Sequence, residues 1–574
     1  MAHTTRTAAA RPAPAPAGDR LLLTTARHSA GRAAALGLLA LASAGAALLL
    51  PLALGHTLDL LLAHRGPDAA RWTALCALLV AGPAALDAAG ELLTGTTAAR
   101  ATARLRHRLL GHVLAAGPRA AGRFPPGDLV TRAVGNAADT GTAPATLAHA
   151  AASVAGPVGG IVALGLIDPW LAVAFLAGAP LLAALLRAFT RASTDSVARY
   201  QQLQGDIATR LVEALGGART IAAAGTADRE RARILEPLPR LSRQGRRMWR
   251  VQGRSTAQAG TLVPLLQIAV LAVAGLRLSQ GLLTVGDLLA ASRYAVLATG
   301  VGMLVGHLNA AARARAAAGR AAEVLAVPRV PYGQRRLPAG GPGTLELRDV
   351  SVIRGGRTVL DEVSVTVPGG TSLAVVGLSG SGKTVLAEVA GRLADPDGGL
   401  VLLDGVPLPS IRREELRRAI GYAFARPALL GGTIGGTIGF GAFTPEREAL
   451  EDAARAACAH DFVRRLPHGY DTACASAPLS GGEAQRLGLA RAFAHAGRVL
   501  ILDDATSSLD TATERRVAAA LRACAAATRV LVAHRPATAA TADRVLWLHE
   551  GRALAVAPHA TLWQNPSYRA VFNA

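Results

Sequence analysis

Gly377-Leu378-Ser379-Gly380-Ser381-Gly382-Lys383-Thr384 decides how this chain is read. Lys383 is the only lysine; the rest of the 61 Lys+Arg are arginine. A bias that replaced lysine almost everywhere left one ammonium in place. Arginine is a planar fork, whereas lysine is a compact point charge on a flexible stem. A loop that wraps backbone amides around a phosphate chain has room for the second and not the first. Lys383 is therefore expected to grip the β- and γ-phosphates of a nucleotide. The octapeptide follows a strand-like run, residues 371–376, and opens a helix at Lys383. Successive N–H groups and the helix N-terminus then form an anion nest. The Thr384 hydroxyl is placed to hold Mg²⁺.

Downstream, Val499-Leu500-Ile501-Leu502-Asp503 is an apolar strand ending in a carboxylate that suits Mg²⁺ through water. Asp504 follows where a general base is expected, then Asp510. Leu531-Val532-Ala533-His534 puts a histidine at a strand end, about thirty residues after the paired carboxylates, where it suits a γ-phosphate sensor. Leu479-Ser480-Gly481-Gly482-Glu483 precedes a helix over 484–493 and offers a second anion-binding end. One monomer does not need two such ends for one nucleotide. A dimer does, with each phosphate loop facing the other subunit's Ser-Gly-Gly.

Upstream, the chain changes character. It has 574 residues, is 51% hydrophobic, and has a net charge of +22. Six apolar stretches appear before residue 310, at 33–54, 72–93, 147–166, 170–188, 262–278 and 288–308. Each is near the ~20 residues needed to cross ~30 Å of hydrocarbon. The long second and fourth gaps are rich in arginine, among them Arg100, Arg104, Arg106, Arg108, Arg243, Arg246, Arg247 and Arg250. The positive-inside rule puts both gaps and both termini in the cytoplasm. That accounts for the charge without nucleic acid. The long gaps read as helices continuing out of the membrane, broken at 122–127 and 216–217, with crosswise segments near 135–139 and 213–224. Residues 1–19 read as a disordered tail with no signal-peptide core. A Pro/Gly-rich linker covers 327–343. Beyond it, strand-like runs at 345–352, 372–376, 499–502, 529–533 and 544–548 alternate with helices, an α/β pattern. Cys76, Cys458, Cys474 and Cys524 lack metal-ligand spacing and read as free thiols.

These motifs, in this order, resemble the exporter-type ATP-binding cassette (ABC) half-transporters over residues 20–574. Gly377–Thr384 is similar to the Walker A loop, Val499–Asp503 to the Walker B strand, Leu479–Glu483 to the signature, 507–510 to the D-loop, and His534 to the switch histidine. Gly127-Asp128-Leu129, Val212-Glu213-Ala214-Leu215 and Ala321-Ala322-Glu323-Val324-Leu325 look like landmarks of its membrane region. The resemblance implies a six-helix, all-α transmembrane domain (20–326) fused to an α/β P-loop nucleotide-binding domain (344–574). It implies ATP and Mg²⁺ as ligands, with nucleotide contacts from Arg354, Gly377–Thr384 and Asp503, and catalysis by Asp504 and His534. It also implies a second half-transporter as partner, and a bacterial plasma-membrane location with the nucleotide-binding domain cytoplasmic.

Departures from the family pattern carry more information. The catalytic Glu after Walker B is Asp504. The Q-loop glutamine aligns with Ala425, which orients no water. The adenine-stacking aromatic aligns with Arg354, able to stack by cation–π contact. The stretch before the signature is short, and the signature ends in Glu483 rather than Gln. This half-site is expected to hold ATP and cleave it poorly, as in the degenerate-site subunit of heterodimeric exporters. The alternatives are a homodimeric exporter, a siderophore-type importer on the same scaffold, and a nucleotide-gated membrane subunit that moves nothing. Export of a small molecule, peptide or lipid-like metabolite is the expectation. The Ala/Arg-rich composition suggests a GC-rich bacterium. Asp87 and Glu91, i,i+4 near the cytoplasmic end of the second stretch, read either as a cation-attracting cavity wall or as helix already outside the membrane. Asp287 and Arg293 in the sixth stretch are equally open.

Overall fold

The computed structural model describes residues 17–523 and 527–573, so Cys524 lies outside the described residues. The chain divides into two compact units. One runs to Ala115 and resumes over Arg123–Pro328; the other gathers Ala116–Gly122 with the chain from Arg329 on.

The first unit is helical. Ala- and Leu-rich runs favour helix at every position, and in lipid only a helix or closed barrel satisfies its own backbone. Ala30–Leu62 and Gly66–Ala116 are long and apolar enough to cross a membrane, as are the segmented column Pro126–Ile167 and the Gly260–Ser279 end of Leu238–Ser279. The fourth expected stretch begins the helix Pro169–Gly216, in which Pro169–Leu181 is an apolar run. The sixth is split into Val285–Ala298 and Val301–Leu325. Leu38, Leu78 and Leu166 stay largely exposed, as expected of a face solvated by lipid rather than water.

Helices meet through small residues. A Cβ on Gly55 would lie 2.5 Å from the Gly286 carbonyl oxygen, so these helices touch backbone to backbone. Asp59 locks the crossing by accepting from the Thr284 hydroxyl (2.7 Å) and the Gly286 N–H (2.8 Å). Asp287 is a capping residue: it exchanges hydrogen bonds with Thr284 at the start of Val285–Ala298. Asp168 caps Pro169–Gly216 through the Trp170 N–H and pairs with Arg277 at 2.6 Å.

Two expectations need correction. Residues 17–19 are not tail: they open the helix Ala17–His28, while 1–16 lie outside the described residues. The first long excursion breaks within the expected 122–127, between Arg123 and Pro126, and also at Gly117, whose φ of +55° suits glycine. The short crosswise helix is Pro118–Arg123, of which the part through Gly122 belongs to the second unit, where Arg119 pairs with Asp395 at 2.6 Å. Residues 135–139 instead belong to the ascending column, across the end of a π-turn, Arg132–Asn136, and the start of Ala137–Gly141. The other crosswise helix is Ala218–Ala224, closed by Gly225 at φ +63°. Asp128 and Glu323, read as separate landmarks, meet on one guanidinium: Arg132 lies 2.9 and 2.6 Å from them.

The second unit holds ten strands among the described residues: β1 (Leu345–Arg354), β2 (Arg357–Val367), β3 (Ser372–Val376), β4 (Gly398–Leu403), β5 (Val406–Pro407), β6 (Ile420–Phe424), β7 (Val499–Asp503), β8 (Thr528–Val532), β9 (Arg544–His549) and β10 (Arg552–Ala557). A six-stranded sheet has the order β10-β9-β3-β8-β7-β6, parallel except for β10. A four-stranded antiparallel sheet has the order β2-β1-β4-β5. Every residue of β3, β7 and β8 is buried, which is why they read as continuous apolar runs. The expected linker does not hang free. The Arg335 N–H donates to Ser410 O (2.8 Å) and the Leu337 N–H to Glu415 (2.7 Å), while Tyr332 lies under Arg392.

Candidate functional site

Brändén-type sites form where strands of a parallel sheet end. Here β3 delivers the loop 377–384 and β7 delivers Asp503 and Asp504 to the same end. Gly380 and Gly382 have φ of +82° and +98°, a region that favours glycine. Gly382 has no room for a side chain, since a Cβ would lie 2.8 Å from Leu360 Cδ2 and from Val359 O. The helix Lys383–Ala390 starts directly from it.

Lys383 is buried, and its Nζ donates to the loop's own carbonyls, Gly377 O at 2.8 Å and Leu378 O at 2.9 Å. Burial pulls its pKa down, and the carboxylates of Asp504 and Asp503 oppose that pull. The Ser381 hydroxyl is buried with no partner. Thr384 Oγ1 donates to Asp503 Oδ1 at 3.1 Å, and Tyr422 OH to Asp503 Oδ2 at 3.4 Å. Burial pushes the Asp503 carboxyl up, the Thr384 hydrogen bond opposes this, and Asp504 and Glu388 push it further. Burial also raises the Tyr422 phenol. An orphaned hydroxyl, a cradle that excludes Cβ, one buried ammonium and a destabilised carboxylate beside a threonine hydroxyl fit a Mg²⁺-bound triphosphate.

The other sequence candidates fall around this end. Asp504 has φ +52°, and its Oδ1 lies 3.0 Å from His534 Nε2. Arg354, at the end of β1, donates to Glu388 on the phosphate-loop helix at 3.2 Å. Ala425 directly follows β6. Asp510 caps the helix Thr511–Ala523: it accepts from the Thr513 N–H at 3.0 Å, and the Thr513 hydrogen bonds hold its carboxyl below the usual range.

The signature helix is Gly481–Ala494, three residues longer at its start than expected. Ser480 caps it in a reciprocal box with Glu483. One Glu483 oxygen accepts from both the Ser480 N–H and hydroxyl, at 2.8 Å each. The Ser480 N–H, with further help from its hydroxyl, holds the Glu483 carboxyl below its usual range. An anion-binding end thus carries a carboxylate of its own.

Gln485 was not among the residues read from sequence. It is buried and joins three loops. Its Nε2, with two hydrogens to share, lies within hydrogen-bond distance of Ala425 O (3.1 Å), Asp504 O (3.0 Å) and Ser507 Oγ (3.1 Å), and its Oε1 accepts from the Ser508 N–H (2.8 Å). Its partners lie 19 to 60 residues away, so nothing local announces it.

Comparison with known proteins agrees with this geometry. The ABC transporter transmembrane region family matches residues 34–300, and the ABC transporter family matches residues 360–507. The ABC transporter ATP-binding protein RamA of Streptomyces coelicolor is 55% identical over 94% of this chain and 84% of its own length. The ATP-dependent lipid A-core flippase of Chromohalobacter salexigens is 31% identical over 72% of each chain. A bacterial Atm1-family ABC exporter with ATP bound shares the fold at a TM-score of 0.81 and 24% identity, covering 95% of this chain and 98% of the other.

Proposed function

Because the chain belongs to the ABC transporter family, as an exporter-type half-transporter that couples ATP hydrolysis to transport, we propose that it is the subunit of a heterodimeric exporter whose own ATP site binds nucleotide and hydrolyses it poorly. Residues 20–326 form the transmembrane domain with six crossings, 327–343 the linker, and 344–574 the nucleotide-binding domain. The observation that carries this reading is the Asp504 carboxylate. It is one methylene shorter than the family's glutamate, its backbone lies in the left-handed region, and it pairs with His534. A misplacement of ~1 Å in a catalytic group costs on the order of 10²-fold in rate. Ala425 removes the Q-loop amide as well.

In this reading Lys383 exchanges the Gly377 and Leu378 carbonyls for the β- and γ-phosphates, and the Ser381 hydroxyl gains a partner. Thr384 and Asp503 hold Mg²⁺, which supplies charge neutralisation at the phosphate oxygens. His534 contacts the γ-phosphate, and Arg354 stacks on the base. Ser480, Gly481 and Gly482 close over the partner's nucleotide, while Leu479 and Glu483 flank them. ATP shifts the membrane helices only through its greater affinity for the closed pair. The lipid A-core flippase likeness supports a lipid-like or amphiphilic cargo among the classes considered. The test is ATPase activity of the purified chain without a partner. Turnover near zero, restored by adding a second half-transporter with glutamate after its Walker B strand, is expected. Brisk turnover of the chain alone, abolished by Asp504→Asn, would remove the case for a partner.

A further inference from the structure

The helical unit contains a cavity of about 1030 Å³ lined by carboxylates and by small aliphatic side chains. We propose that it binds an amphiphilic cation with an aliphatic body, and that Asp87 and Glu91 recognise the positive charge. This rests on the export reading above and names the class of cargo.

Charge is the first argument. The chain carries 61 Lys+Arg against 39 Asp+Glu, yet this cavity reverses the balance. Asp87, Glu91 and Asp139 line it against one guanidinium, Arg313. None of the three carboxylates is in an ion pair among the described residues. An ionisable side chain near hydrocarbon is costly and pairs wherever it can. Elsewhere in this unit carboxylates do pair, as Asp168 does with Arg277 and Asp128 with Arg132. Three left without a counter-charge around one space leave the counter-charge to a ligand.

Depth is the second. At 1.5 Å per residue, Trp72 to Glu91 rises roughly 28 Å, close to the ~30 Å of a hydrocarbon core. Asp87 and Glu91 therefore sit in the last turns of the crossing, at the level where a cationic headgroup in the inner leaflet meets the protein. Gly90 between them adds no side chain, so the wall stays open at that point. Thr94, one turn further, holds His149 Nε2 at 3.0 Å, and His149 stacks on His307 at 5.8 Å. These groups give the acidic wall hydrogen-bonding capacity beyond its charge.

Shape is the third. Much of the remaining lining is aliphatic and small, with Leu36, Ala40, Ala44 and Met303 among its residues. No Phe, Tyr or Trp appears among the described lining residues. Planar aromatic cations are held by stacking and cation–π contact, and this lining supplies neither. An alkyl chain bearing an ammonium matches both kinds of lining at once.

The test uses full-length protein in nanodiscs and a diazirine-bearing decyltrimethylammonium probe, without ATP, so that binding is read separately from transport. Labelling is expected in the helix Gly66–Ala116, competed by unlabelled decyltrimethylammonium and not by decyl sulfate or ethidium. The Asp87→Asn/Glu91→Gln pair is expected to lower labelling at least tenfold. Asp87→Glu, which keeps the charge, should retain it and guards against a folding defect. Equal competition by decyl sulfate, or undiminished labelling of the double variant, overturns the assignment. ATP-driven uptake of the same probe into inverted vesicles tests the parent reading. Labelling without uptake sinks export and leaves the site standing; uptake indifferent to the double variant sinks the site and leaves export.

Discussion

Replacing Gln485 with methionine keeps its length and removes its amide. The structure sets the size of the consequence. Three main-chain groups lose a partner: the carbonyls of Ala425 and Asp504, the latter still holding the Ser507 N–H at 3.2 Å, and the N–H of Ser508. An orphaned buried group costs about 1–3 kcal/mol, and carbonyls that keep a second lone pair fall at the low end. A total of about 3 kcal/mol follows. These groups belong to the Q-loop, the end of the Walker B strand and the D-loop, which no strand ladder holds. The loss is therefore spent on loop order rather than on the sheet. At 1.4 kcal/mol per decade, the competent loop arrangement falls by up to ~10²-fold. ATPase turnover of the assembled transporter should drop by one to two decades, while nucleotide affinity, set by the 377–384 cradle, changes less than about threefold. Gln485→Glu should be worse than methionine. It keeps an acceptor for Ser508 but loses the donors and buries a charge against two carbonyls. Turnover and a fluorescent-nucleotide titration on the same preparations read both effects. Methionine with wild-type turnover, or glutamate outperforming methionine, would refute the argument.

The other expectations are more local. Glu483→Gln removes the carboxylate that occupies the Ser480 hydroxyl and N–H. Half-saturating ATP for the partner's nucleotide should fall several-fold, read in the assembled pair; no change would mean the carboxylate swings clear on closure. Gly286→Ala drives a methyl into the Gly55 carbonyl and the Asp59 carboxylate. Overpacking of this kind costs about 1–3 kcal/mol, so the detergent-solubilised protein should melt several degrees lower. Asp543 accepts from the Ser372 hydroxyl and N–H at 2.7 Å, and these, with Arg529, hold its carboxyl below the ordinary 3.8. A carboxylate depressed in the native state contributes stability that is complete above its unfolded pKa and lost as pH falls through its native pKa. Asp543→Asn should therefore lower stability at neutral pH and flatten the acid limb below 3.8, measured by denaturant unfolding across that window.

The nucleotide end was legible because its chemistry is compressed into short, contiguous runs. Gly377–Thr384 needs glycines where φ is positive and one ammonium in a buried cradle, and both demands are written in sequence. Strands β3, β7 and β8 were readable because both faces are buried and the runs are apolar throughout. By contrast β2, β4, β5, β6 and β10 escaped notice. In β4, β5, β6 and β10 short length and exposed or mixed faces blur the alternation that marks a strand, whereas β2 does alternate over 363–367 and was there to be read. The misplaced crosswise helix has a similar cause. The break before Pro126 is announced by its prolines, whereas the second break, at Gly117, rests on a positive φ that the sequence does not mark out from the other glycines.

What sequence left undecided was each residue whose meaning depends on distant partners. Asp87 and Glu91 carried two readings until the structure put them on one wall with Asp139 and His149, residues about fifty positions away. Glu483 looked like a minor departure from a motif, yet its carboxylate takes up the hydroxyl that the motif exists to offer. The two findings bear on the same asymmetry. On the proposed reading, Asp504 weakens hydrolysis at this chain's own nucleotide and Glu483 raises the cost of closing over the partner's, so both changes would slow the cycle and neither would abolish binding. A subunit tuned this way spends longer with its cavity open to the cytoplasm. That dwell time favours capture of a dilute amphiphile from the inner leaflet, where residence at an acidic wall, rather than turnover, limits how much cargo is moved. Restoring both positions, as Asp504→Glu with Glu483→Gln, should therefore raise basal ATPase while lowering cargo moved per ATP; coupling that stays constant as turnover rises would contradict the link.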